Sequence, residues 1–121
     1  MKKELKQKYI DMSLRQVADT YIRSFAKCDL GKIKSLLAKN VVLVDWENNI
    51  SGIDDIISFT KSIHDNHKIG IIYPTVYVDQ MSRKAFVCFK IKVDDEKTFS
   101  VIDKIGFDKN NRINFIEAYK L

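Results

Sequence analysis

Apolar residues recur at helical spacing in the first half of the chain and at every second position in the second half. Ser13 and Gln16 match a capping box, in which the serine accepts from the backbone three residues on and the glutamine reaches back. Behind them Leu14, Val17, Ala18, Tyr21, Ile22 and Phe25 form one apolar stripe, which predicts a first helix. Asp29 is placed to cap a second, shorter helix carrying Ile33, Leu36 and Leu37 inward. The run 41–46, rich in β-branched and aromatic residues and ending in Asp45 and Trp46, reads as a strand. After turn signals at Asn48, Asn49, Ser51 and Gly52, a third helix carries Ile53, Ile56, Ile57, Thr60 and Ile63 on one face. From Ile69 onward the period is two, predicting strands near 70–79, 84–94, 98–107 and 112–120. The segments between them carry Asn and Asp, which tolerate the left-handed backbone of tight turns. Helices followed by consecutive hairpins define an α+β fold, with three helices covering one face of a strongly curved antiparallel sheet.

Composition narrows the picture only a little. A chain of 121 residues is the size of one domain, expected over 13–121, and 1–12 reads either as an extension of the first helix or as a loose lead. With 45% hydrophobic and 31% charged residues, the chain is too apolar to stay disordered. The net charge of +5 raises nucleic acid as a partner. The basic residues are scattered, though, apart from Lys2, Lys3, Lys6 and Lys8, and no Arg-rich or Gly-aromatic segment accompanies them; no nucleic-acid partner is expected. Cys28 and Cys88 lie far apart within apolar patterns and read as free thiols of a reducing, cytoplasmic setting. Lys6, Gln7 and Lys8 interrupt the N-terminal segment, so no secretory signal is expected, and no run is long enough to meet a membrane as a spanning helix.

Three residues break the pattern of buried faces. Tyr21 sits in the middle of the first helix's stripe, so its ring should be buried and its hydroxyl needs a partner. Alternation along 101–107 places Asp103 on one side with Val101, Ile105 and Phe107, while Lys104 points to the other. A carboxyl in such company is paired, or is neutral with a raised pKa. Asp45 shares a side with Val41 and Leu43 where the strand gives way to loop. Each has a structural reading as well: a core tyrosine, an aspartate capping a turn, and an aspartate at a sheet end or facing a lysine. Together they place one phenol and two carboxyls on inward faces that could converge on one cavity.

From about Leu14 to Leu121 the chain resembles the nuclear transport factor 2-like (cystatin-like) superfamily, in particular its SnoaL-like and ketosteroid-isomerase-like branch. The resemblance rests on Val17-Ala18-Asp19-Thr20-Tyr21-Ile22, on Leu43-Val44-Asp45, and on Gly52 followed by acidic residues. Its most specific part is the closing hairpin, Val101-Ile102-Asp103, Phe107-Asp108, Arg112-Ile113 and Ile116-Glu117-Ala118-Tyr119. It implies helices closed over a bent sheet, an apolar pocket, and a homodimer formed through the outer sheet face. By motif position, Tyr21 and a neutral Asp103 would be oxyanion donors and Asp45 the base of a proton-transfer isomerase or polyketide-cyclase-like enzyme. The chain departs from the isomerase pattern at Leu37 and Thr60, where some members carry further tyrosines. It departs again at Lys120, where an aromatic often follows, and in the polar turn Trp46-Glu47-Asn48-Asn49.

The remaining constellations carry less. His64 and His67 stand three apart at the end of the third helix, but a metal site needs a third ligand; they read as a helix-terminal pair near solvent, and no metal or cofactor is expected. Asp94-Asp95-Glu96 reads as a solvated turn. Phe25, Trp46, Thr60, Phe89 and Ile105 are the expected ligand contacts. The sequence thus leaves two functions open. One is an isomerase or cyclase acting on an apolar carbonyl compound; the other is a binding or accessory protein that holds a small apolar molecule or uses its sheet for partners.

Overall fold

The computed structural model describes residues 9–121; the lysine cluster at the N-terminus lies outside them, and from Tyr9 to Ser13 the chain is irregular. Helix α1 spans Leu14–Lys27 and begins as its capping box requires: Gln16 N donates to Ser13 Oγ at 3.1 Å, and Ser13 N donates to Gln16 Oε1 at 2.8 Å. Cys28, with φ +56°, ends it in the left-handed conformation, its N–H donating to Phe25 O at 3.1 Å. Asp29 caps α2, Leu30–Leu36, accepting from Lys32 N at 3.1 Å. Gly52 opens α3, Ile53–Asn66, at φ +93°, a backbone conformation that favours glycine, and Asp54 and Asp55 in the first turn complement the helix dipole.

The strands are β1 (Leu37–Val44), β2 (Asn49–Ser51), β3 (Ile69–Asp79), β4 (Lys84–Val93), β5 (Lys97–Phe107) and β6 (Ile113–Lys120). They form one open sheet in the order β2-β1-β6-β5-β4-β3. Four of its five pairings are antiparallel; β1 and β6 run parallel, so the sheet is mixed rather than wholly antiparallel. Register breaks in β1/β6, β3/β4 and β5/β6 mark bulges, which bend and twist the strands that carry them. Two local expectations are corrected. Leu37 belongs to β1, not to the second helix, and 49–51, expected as turn, is a short strand pairing with β1. Leu37 is drawn into the sheet by pairing with Ile113 of β6, and 49–51 fold back across the Asp45 turn onto Val42–Val44.

Helices α1 and α3 lie on one face of the sheet, α1 against β3 and β4 and α3 against β1. Between the layers, Val17, Ile22, Ile33, Leu36, Val41, Ile56, Val87, Ile105, Ile113 and Ile116 are essentially fully buried. Each such aliphatic side chain withdrawn from water contributes about 1.5–3 kcal/mol before entropic costs. Among the described residues, the other face of the sheet carries no helix. Register sets Tyr77, Phe86, Lys104 and Glu117 in one row across it and Thr75, Cys88, Ile102 and Tyr119 in the next. Cys28 and Cys88 are free thiols. Among the described residues, no helix is long and apolar enough to cross a membrane.

Candidate functional site

The inward positions of β5 are Phe99, Val101, Asp103, Ile105 and Phe107, and Asp103 is only 6% exposed among them. Its neighbours across the sheet are Val87 on β4 and Ala118 on β6. Val44 pairs with Glu117, so Asp45, one residue further, comes level with Ala118 and hence with Asp103. From the helix layer Tyr21, buried in the α1 stripe, faces the same place. Two carboxyls and a phenol from well-separated parts of the chain thus meet through strand register and one helical face.

Their electrostatics differ. Burial pushes the Asp103 carboxyl up to about 7, with the negative charge of Asp45 adding to the effect. Burial raises the Tyr21 phenol far above its ordinary range, and Asp103 adds to it. Both groups therefore carry their protons in mildly acidic solution, and Tyr21 keeps its own well into the alkaline range. No hydrogen bond to either is found among the described residues, and both line the cavity, where their polar atoms stay open to water rather than sealed in the core. Asp45 is held quite differently. Its Oδ1 accepts from Glu47 N at 2.8 Å, Asn48 N at 2.7 Å and Asn48 Nδ2 at 3.1 Å, an Asx turn that suits an ionised carboxylate. Oδ2 receives only a long contact from Asn48 Nδ2 at 3.3 Å, leaving lone pairs free for a proton.

The cavity between helices and sheet measures about 360 Å³, within the range of small-molecule sites. Apart from the three polar groups, its inner part is walled by Leu43, Phe89, Val101 and Ile116. Of the expected ligand contacts, Phe25, Trp46 and Phe89 line it. Thr60 and Ile105 do not: Thr60 is buried with its hydroxyl donating to Ile56 O at 2.9 Å, and Ile105 is fully enclosed in the core. Trp46, half-exposed at the rim, meets Phe99 edge-on at 6.0 Å, and the Lys120 ammonium lies over both rings at 5.7 and 4.5 Å.

Phe99, one of the strand aromatics dense enough in the sequence to line a pocket, does line it, whereas Phe59 and His67 line it without having been expected there. Helical spacing from Ile56 and Ile63 could have found Phe59. The two histidines turn to separate partners. His64 Nε2 lies 2.8 Å from Phe25 O, whereas His67 Nδ1 lies 2.7 Å from Asp94 Oδ2. Among the described residues, no three metal-ligating side chains gather into one group.

No family model matches the chain, and no curated protein matches it. Solved structures do. A candidate ketosteroid isomerase from Kribbella flavida aligns over 89% of this chain and 77% of its own, with TM-score 0.79 and 13% identity. A candidate polyketide cyclase from Pseudomonas putida aligns over 89% and 91%, with TM-score 0.79 and 14% identity. A candidate isomerase from Bacillus subtilis aligns over 91% and 90%, with TM-score 0.72 and 20% identity. At such identities the likeness is one of fold. The chain adopts the cystatin-like, nuclear transport factor 2-like fold.

Proposed function

We propose that the cavity binds a small, largely apolar carbonyl compound and moves a proton on it. The observation that carries this reading is the pairing of Tyr21 with Asp103, two buried protonated donors with no partner among the described residues, facing an apolar cavity. In the empty cavity such donors have only water to bond, and a ligand oxygen accepting from both replaces it while covering the apolar wall. Asp45, on the same row of the sheet, supplies the base. Its Oδ2 takes the proton from the carbon next to the carbonyl; the C–H electron pair becomes the C=C of an enolate, and the charge on oxygen falls between Tyr21 and Asp103. The Asp45 carboxyl then returns the proton at another carbon. This is isomerase-type chemistry and needs no cofactor. The candidate isomerases and cyclases that share the fold support the class, not the substrate. Free thiols at Cys28 and Cys88 fit a reducing, cytoplasmic setting.

The test is titration with a fluorescent naphthol, whose oxygen imitates the enolate. Tight binding that weakens about tenfold or more in Tyr21→Phe and in Asp103→Ala is expected, since hydrogen bonds to a charged oxygen are the stronger kind. No binding by several phenols would overturn the reading. A second reading, ligand binding without chemistry, is favoured by the hydrogen bonds already drawn to Asp45. Deuterium exchange next to the carbonyl of a bound unsaturated ketone separates the two: it is lost in Asp45→Asn on the first reading and absent from the parent protein on the second.

The helix-free face of the sheet is proposed as the contact between two copies of the chain. Ile102, Cys88 and Phe86 are only partly buried there, beside the exposed rings of Tyr77 and Tyr119.

A further inference from the structure

Along the sheet, Asp45 and Asp103 share a row that Tyr21 faces from α1, and His67 is tied to the β4–β5 turn several residues further along the same strands. Asp103 is opposite Val87, and the inward residues of β4 then run Phe89, Ile91 and Val93 to the turn holding Asp94. Seven residues of strand separate Val87 from Asp94, roughly 23 Å along the contour at about 3.3 Å per residue, less whatever the curvature removes. The wall between is apolar: Val101, Phe89, Phe99, Ile91, Val93 and Ile69.

The outer end is built rather than incidental. Asp94 and Asp95 both adopt the left-handed conformation, at φ +56° and +58°, and Glu96 N donates to Val93 O at 3.1 Å, which closes a tight turn between β4 and β5. That turn is tied to the end of α3 by backbone as well as side chain. Asp94 N donates to Lys68 O at 2.8 Å, and Lys68 N donates to Asp94 Oδ1 at 2.8 Å. Asp94 Oδ2 is thereby presented to His67 Nδ1 at 2.7 Å. A carboxylate only accepts, so Nδ1 carries a proton toward Asp94, and Nε2 is the ring nitrogen left for another partner. His67 lines the cavity while its backbone N–H is fixed to Ile63 O at 2.9 Å.

We infer that the His67–Asp94 pair is a second polar anchor, selecting an elongated apolar ligand that carries a hydroxyl at the end remote from its carbonyl or enol oxygen. The hydroxyl donates to Nε2, Asp94 holds the ring to receive it, and the apolar wall sets the distance between the two polar ends. This rests on the reading of Tyr21 and Asp103 as the site of the ligand's first oxygen. His67 touches the ligand and not the reacting carbons, so it governs which molecule fits and not how fast a proton moves.

The test is a molecular ruler. Para-alkylphenols of increasing chain length are titrated in two series, one ending in methyl and one in a primary hydroxyl. In the parent protein the two series should bind alike when short. Beyond a threshold length the hydroxyl series should gain about three- to tenfold, the range of one added neutral hydrogen bond. His67→Phe should abolish that gain and leave the methyl series within about twofold, a difference that a merely structural histidine would not produce. Asp94→Asn, which no longer fixes the tautomer, should reduce the gain and serves where His67→Phe folds poorly. Phenols that bind with no hydroxyl gain at any length, or a gain that survives His67→Phe, overturn this inference alone. Failure of every phenol to bind overturns it together with the oxygen site at Tyr21 and Asp103.

Discussion

Asp103 shows how far one residue could be read and what the fold added. Alternation alone set it among Val101, Ile105 and Phe107, so its burial was legible from the sequence. Its lack of a hydrogen-bond partner was not, because that depends on what α1 and β1 bring opposite. The raised pKa has a consequence for stability. In the unfolded chain the carboxyl ionises near its ordinary 3.8, and in the folded chain near 7. Between those values the unfolded state binds fewer protons, so stability falls as pH rises from about 4 to about 7 and levels off above. The loss is on the order of 4 kcal/mol. Urea unfolding across that range should show the decline in the parent protein and a flatter profile in Asp103→Asn. A parent profile that rises through the same range would mean that Asp103 is ionised in the fold.

At the scale of elements, local chemistry was readable wherever donor and acceptor lie within a turn of each other. The capping box at Ser13 and Gln16 stands as the sequence implies, and so does the Asp29 cap. Ser13→Ala should cost about 1 kcal/mol by chemical denaturation, and since α1 carries Tyr21, naphthol affinity at fixed temperature should change little while the protein stays folded. Where partners are distant, the sequence was silent. Leu37 fits a helix by spacing, yet pairing with Ile113, far along the chain, makes it strand. His67 and Asp94 were each read alone, one as a helix-terminal histidine and one as a turn residue. Only the packing of the β4–β5 turn against the end of α3 joins them.

At the scale of the molecule, the sheet offers one face to the helices, and the other is the face proposed above for a second copy. If two copies meet there, Ile102→Lys should shift the protein from dimer to monomer in sedimentation velocity runs at micromolar concentration. Naphthol binding should persist, because Ile102 points away from the cavity. A parent protein that sediments as a monomer throughout would remove the second copy from this face. The α+β layering was plain in the sequence from the change of period alone. The parallel pairing of β1 with β6 was not, since nothing local in 37–44 or 113–120 states which strand its neighbour will be.

That pairing gives the molecule an order in time. β6 is the last of the six strands in chain order, yet it lies between β1 and β5 and is the only connection between them in the sheet. Until it inserts, Asp45 on one fragment and Asp103 on the other have no common row. On a ribosome, helices α1 and α3 and the β3–β4–β5 meander can all be made before any binding site exists. A ligand of the proposed site therefore meets only chains in which β6 has taken its place between β1 and β5.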